Sequence, residues 1–150
     1  MKLIQTTSHK EIFRLLLGLA KSLRGFQDEA TFCEDVTYAQ FAILDYVVDN
    51  NGTMPLSSLH GLLSVEKSTT TRLVAPLLKR ELLTKERSED DGRAFDLVLT
   101  DEGQRIHGVV WECLTGLLGR LTECMPEEEV QVIMNSLTSV AHALETCCKD

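Results

Sequence analysis

Between Val65 and Val74 the chain reads VEKSTTTRLV, with Ser68, Thr69, Thr70 and Thr71 in a row ahead of Arg72. Hydroxyl side chains bond to nearby backbone, and threonine loses rotamer freedom against the preceding turn, so such a run weakens a helix that exists only for stability. The chemistry it offers is recognition. Short hydroxyls donate to phosphate oxygens and exchange hydrogen bonds with base edges, and an arginine grips guanine at two points. On a helical wheel of residues 67–80, Thr70, Leu73, Val74 and Leu77 share one side, and Ser68, Arg72, Ala75 and Lys79 the other. Thr69 and Thr71 flank the second face, and no acid stands between Lys67 and Lys79. A hydroxyl run by itself is most often a solvated helix face, so its surroundings decide what it does.

Other reactive side chains are scattered. Five cysteines, at 33, 113, 124, 147 and 148, include no CxxC pair and follow no secretion signal, so reduced thiols are expected. The adjacent Cys147 and Cys148 are too close for a relaxed mutual disulfide. Together with Cys33, at the end of the first helix, they would suit a soft metal, a metalloid or an oxidant-sensitive switch. The plainer reading makes Cys148 a continuation of the seam of Leu137, Ala141 and Leu144, and Cys113 a small buried hydrophobe within its own apolar series. The four histidines, His9, His60, His107 and His142, show no metal-ligand spacing, and no nucleophile, base and orienting group occur together. Neither catalysis nor a required cofactor is expected.

The elements that must position these residues follow from periodicity. Ile12, Leu15, Leu16, Leu19, Leu23 and Phe26 are spaced for one face of a first helix. A second is expected from Thr37, with Phe41, Leu44 and Val48 inward, "TYAQ" as its cap and "DNNG" as its stop. A short apolar helix over about Leu56 to Leu63 follows Pro55, and then comes the hydroxyl-rich helix. There the period drops to two, in "LLTKE" and "AFDLVLT", which with "RSEDDG" between them predicts a β-hairpin with a charged loop. Thr100, Asp101 and Glu102 open another helix with apolar positions Ile106, Val110, Cys113, Leu117 and Leu121. Pro126 and "EEE" open a last one carrying Val130, Ile133, Leu137, Val140, Ala141 and Leu144. A short helix, a turn, a second helix and a hairpin make a winged helix-turn-helix. The expected fold is therefore mostly α with a small β-hairpin wing: residues 36–100 form the winged helix-turn-helix, and 1–35 and 101–150 the N- and C-terminal helices for dimerisation.

Composition sets limits on the partner. At 150 residues and 43% hydrophobic the chain suits one domain with helical extensions. Its longest uncharged stretches are broken by polar residues, so a soluble, cytoplasmic protein without a membrane span is expected. The net charge is −8, yet residues 66–93 carry seven basic residues against six acids, a balance of +1 that leaves −9 for the rest. Acidic flanks would repel DNA except where that segment faces it.

Residues 65–103, "VEKSTTTRLVAPLLKRELLTKERSEDDGRAFDLVLTDEG", resemble the MarR-type transcriptional regulators, and "TYAQFAIL" at 37–44 does so more loosely. The most specific part is "DDGRAFDLVLTDEG", in which Asp91, Arg93, Leu99, Thr100 and Gly103 match the family's pattern. The resemblance implies that Arg93 enters a minor groove and that Asp91 holds it in place, and a guanidinium is attracted to the enhanced negative potential of a narrow A·T-rich groove. It also implies interlocked outer helices, a homodimer, a pseudo-palindromic double-stranded DNA operator, and a small-molecule effector that releases a repressor. The DNA-contacting residues expected on these grounds are Lys67, Ser68, Thr69, Thr71, Arg72, Lys79, Asp91 and Arg93. Three positions depart from the pattern. Glu81 stands where glycine is usual after the recognition helix, so it must adopt a left-handed conformation or the helix must end differently. His60 replaces a small alanine, and Pro76 removes a backbone donor within the recognition helix. A winged domain that binds only proteins is the alternative, and it predicts no salt-dependent DNA binding.

Overall fold

The computed structural model describes residues 6–27, 33–63, 65–88 and 92–147. Helix α1 spans Thr6–Gln27 and α2 Tyr38–Asp49, followed by strand β1, Thr53–Pro55, a single 3-10 turn at Leu56–Ser58, and the short α3, Leu59–Leu63. Next come α4, Lys67–Lys79, the strands β2, Leu83–Arg87, and β3, Phe95–Leu99, and the long helices α5, Asp101–Glu123, and α6, Glu127–Cys147. Two compact units divide the chain, 1–110 and 111–150.

The sequence-level signals at α2 act as expected. The Thr37 hydroxyl accepts from the Gln40 N–H, and the Gln40 side chain accepts from the Thr37 N–H, closing a capping box. At its other end Asn51 and Gly52 take φ of 58° and 83°, and the Gly52 and Asn51 N–H groups return to the carbonyls of Val47 and Val48. The inward face is Phe41, Ile43, Leu44 and Val47. Val48, expected inward, is only half-buried, because the helix presents the neighbouring rows to the core.

Two other expectations are corrected. The sheet has three antiparallel strands in the order β1-β3-β2, not two. Thr53 pairs with Val98 and Pro55 with Asp96 along β1, a segment too short and too interrupted by proline to show a period of two. The helix expected over Leu56 to Leu63 begins with the 3-10 turn and is α-helical only from Leu59.

Ile43, Leu44, Val47, Leu59, Leu77, Leu82, Leu83, Leu97, Ile106 and Val110 are all almost fully buried in the core of the first unit. The first turns of α5 thus belong to that core, beyond residue 100. On the same stretch His107 stacks on Phe41 with ring centroids 5.2 Å apart, and its Nε2 lies 2.8 Å from Asp45 Oδ1. Cys113, expected to be buried, is exposed. It stands past Val110, where the packed core of the first unit has ended.

Candidate nucleic-acid interface

The hydroxyl run divides its labour. Thr70, Val74 and Leu77 form the buried face of α4, with Leu73 half-buried beside them, whereas Lys67, Ser68, Thr71, Arg72, Ala75 and Lys79 are exposed and Thr69 is half-buried. The wheel's outward face is therefore open to a partner. Thr71 donates its hydroxyl hydrogen to the Lys67 carbonyl at 3.0 Å, which orients the oxygen and leaves it free to accept from a base amine or a solvent bridge. Glu66 precedes the helix without a side-chain cap, so the N–H groups of the first turn and the positive end of the helix dipole are left for an anion. Pro76 does not interrupt α4, which continues to Lys79, and proline's fixed φ is helix-compatible. Its cost falls on the Arg72 carbonyl, which has no N–H four residues on.

Thr70 has a different role, tied to the unusual His60. His60 Nδ1 lies 2.9 Å from the Thr70 hydroxyl oxygen, and that hydroxyl donates to the Glu66 carbonyl at 3.4 Å. The pair joins α3 to α4 through a polar contact at the crossing where a small side chain was expected. Thr70→Val would leave the imidazole nitrogen unpaired and should cost about 1–3 kcal/mol. Adding His60→Ala should recover part of the loss, so a urea-unfolding double-mutant cycle should show a coupling of about 0.5 kcal/mol or more. Strictly additive losses would show that the contact carries no energy.

The end of α4 explains how Glu81 replaces a glycine. Its φ is 56°, with its N–H bonded to the Leu78 carbonyl at 3.0 Å and the Leu82 N–H bonded to the Leu77 carbonyl at 2.9 Å. This is the Schellman pairing, with the buried Leu77 and Leu82 at its two ends, and it holds a side-chain-bearing residue in a conformation costing about 1–2 kcal/mol. Arg80 adds a tie from α4 to the Asp35 carbonyl at 3.1 Å.

The chain then enters the wing, where Leu83 pairs with Leu99 and Arg87 with Phe95. Lys85 Nζ sits 4.0 Å from the centre of the Phe95 ring, Arg87 Nη1 donates to the Gly92 carbonyl at 3.1 Å, and Arg93 is exposed at the tip. Asp91, expected to hold Arg93, lies outside the described residues.

Thr100 and Gly103, the end of the most specific motif, make their contacts at the end of α4 and the start of α5. The Thr100 hydroxyl donates to the Glu81 carbonyl at 2.7 Å and accepts from the Gly103 N–H at 2.9 Å, so it caps α5 and locks it to the end of α4. Beside it Glu102 and Arg105 make two hydrogen bonds of 2.8 and 2.7 Å, which hold the Glu102 carboxyl below its usual range and the Arg105 guanidinium above its own.

Residues 36–95, which hold this helix-turn-helix and most of the wing, match the MarR family model. Over this segment the chain is similar to the MarR family. Its winged unit is similar in fold to those of solved transcriptional regulators. Among its relatives, the uncharacterized HTH-type transcriptional regulator YfiV of Bacillus subtilis is 26% identical over 148 residues, covering 98% of this chain and 91% of that protein. The transcriptional regulator BldR of Sulfolobus solfataricus shares the fold with a TM-score of 0.77 at 20% identity, over 93% of this chain and 99% of that one. FabT of Streptococcus pneumoniae, solved in complex with DNA, does so with a TM-score of 0.68 at 20% identity, over 94% and 98%.

Of the thiols singled out from sequence, Cys33 is half-buried with its Sγ 4.0 Å from the Val109 carbonyl oxygen. Cys147 ends α6 and Cys148 lies outside the described residues. No group of three or more metal-ligating side chains occurs among the described residues. No described helix is long and apolar enough to cross a membrane. Two residues of the surface were missed from sequence: His60, noticed only for its bulk, and Arg87, counted only as a charge. Their partners, ten and five residues away, depend on a helix crossing and a turn that no spacing reveals.

Proposed function

We propose that the protein acts as a homodimer on a pseudo-palindromic operator, with Ser68, Thr69, Thr71 and Arg72 reading the major groove, Lys67 and Lys79 on phosphates, and Arg93 in the minor groove. The observation that carries this is the exposed face of α4, which is hydroxyl-rich and basic and holds no acid from Lys67 to Lys79. The DNA complex of the similarly folded FabT supports the same use of the fold. Self-association is supported by large apolar residues left exposed on each outer helix: Phe13 and Leu15 on α1, Trp111 and Leu121 on α5, and Val132 and Leu137 on α6. Such surface is uncommon on a monomer, and two-fold pairing places recognition helices about 34–36 Å apart, one turn of DNA.

Operator selection from random duplexes, followed by anisotropy titration across salt concentrations, tests this. The logarithm of the association constant should fall linearly with log salt, with a slope of about −0.9 for each phosphate contacted, and complex mass should correspond to two chains per duplex. Salt-independent or absent binding would favour the protein-interaction reading. Release of the operator by a small effector or by thiol chemistry at Cys33, Cys147 and Cys148 belongs to the same proposal. Titration of the complex with arsenite, zinc, copper(I) and peroxide, in the parent and in a Cys147→Ser, Cys148→Ser double variant, separates the two routes.

A further inference from the structure

Arg93 follows Gly92, an exposed glycine at which an added Cβ would meet nothing within 4 Å. Two hydrogen bonds tie the residues around it to β2. Arg87 Nη1 donates to the Gly92 carbonyl at 3.1 Å, and the Ser88 N–H donates to the Ala94 carbonyl at 3.1 Å. The peptide unit entering Arg93 and the one leaving Ala94 are both tied to the end of β2. One rung back, the Lys85 ammonium stacked over Phe95 braces the same end of the hairpin.

We propose that Arg87 is a positioning residue for Arg93, its guanidinium fixing the wing tip in the geometry that delivers Arg93 to the minor groove. This rests on the reading of the wing as a minor-groove element. A planar guanidinium suits the task because it directs a donor at a carbonyl while its long stem lies along the strand.

Full-length Arg87→Ala, Arg93→Ala and the double variant should be titrated against a selected operator across salt concentrations, with thermal unfolding recorded for each. Arg87→Ala is expected to weaken binding roughly fivefold, the scale of one hydrogen bond. It should leave the salt slope and the unfolding midpoint unchanged and should lose the preference for A·T over G·C beneath the wing. In the Arg93→Ala background it should add nothing. A salt slope reduced by about one would identify Arg87 as a phosphate contact instead and overturn the proposal, as would losses that simply add. A costly Arg93→Ala beside a silent Arg87→Ala would overturn this proposal alone, whereas a silent Arg93→Ala would overturn the reading of the wing as well.

Discussion

Replacing Gly103 by alanine is expected to destabilise the winged unit by about 3 kcal/mol or more, at the upper end for overpacking and a large share of a domain's marginal stability. A Cβ there would overlap the Leu82 carbonyl oxygen and come within 2.9 Å of Leu99 Cδ1 and 3.0 Å of the Leu82 carbonyl carbon. The carbonyl cannot swing aside cheaply. It accepts from the Thr100 N–H at 3.3 Å, and Leu82 closes the end of α4 through its own N–H. The clash would thus reach from α5 to the recognition helix. Urea unfolding of Gly103→Ala should show a lowered midpoint, and operator affinity should fall with it. A variant as stable as the parent would mean that α5 and the end of α4 pack less closely than described.

Arg72→Ala should act on recognition and leave folding intact. Arg72 is exposed on α4 beside Ser68 and Thr71, and removing it deletes no packing of the buried face formed by Thr70, Val74 and Leu77. Loss of a two-point contact to a guanine should cost about 1–3 kcal/mol and relax preference at one base pair of each half-site. Lys79→Ala, by contrast, should weaken binding nearly uniformly across sequences and reduce the salt slope by about one, as expected for a phosphate contact. Arg72→Ala bound to the selected operator as tightly as the parent would place the reading face elsewhere on α4.

The contrast between these residues shows what a motif records. "LTDEG" is among the most specific signals in the chain, yet Thr100 and Gly103 touch no part of the proposed DNA surface. They cap α5, join it to the end of α4 and permit the close approach of the Leu82 carbonyl. The motif therefore identifies the fold by a geometric constraint on its own backbone. The residues that would read DNA sit on an exposed face, where neither packing nor backbone geometry dictates their identity.

By itself the sequence determined the order of the helices, the two faces of α4, the capping box at Thr37, the stop at Asn51 and Gly52, and the hairpin of the wing. Each is a local matter, set by periodicity or by hydrogen bonds spanning a few residues. Glu81 shows the boundary: sequence posed the choice between a left-handed residue and a different helix end, and burial of Leu77 and Leu82 in the core goes with the left-handed one. Strand β1, at three residues, carried no period and formed only because β3 offered it a ladder. Val48 yielded its inward place to Val47, and Cys113 is exposed in the second unit. His60 and Arg87 acquired their roles the same way, one from the crossing of α3 and α4, the other from the turn that brings Gly92 back to β2. A side chain's local preference is written in its neighbours along the chain, but its partner is settled by which elements the core draws together.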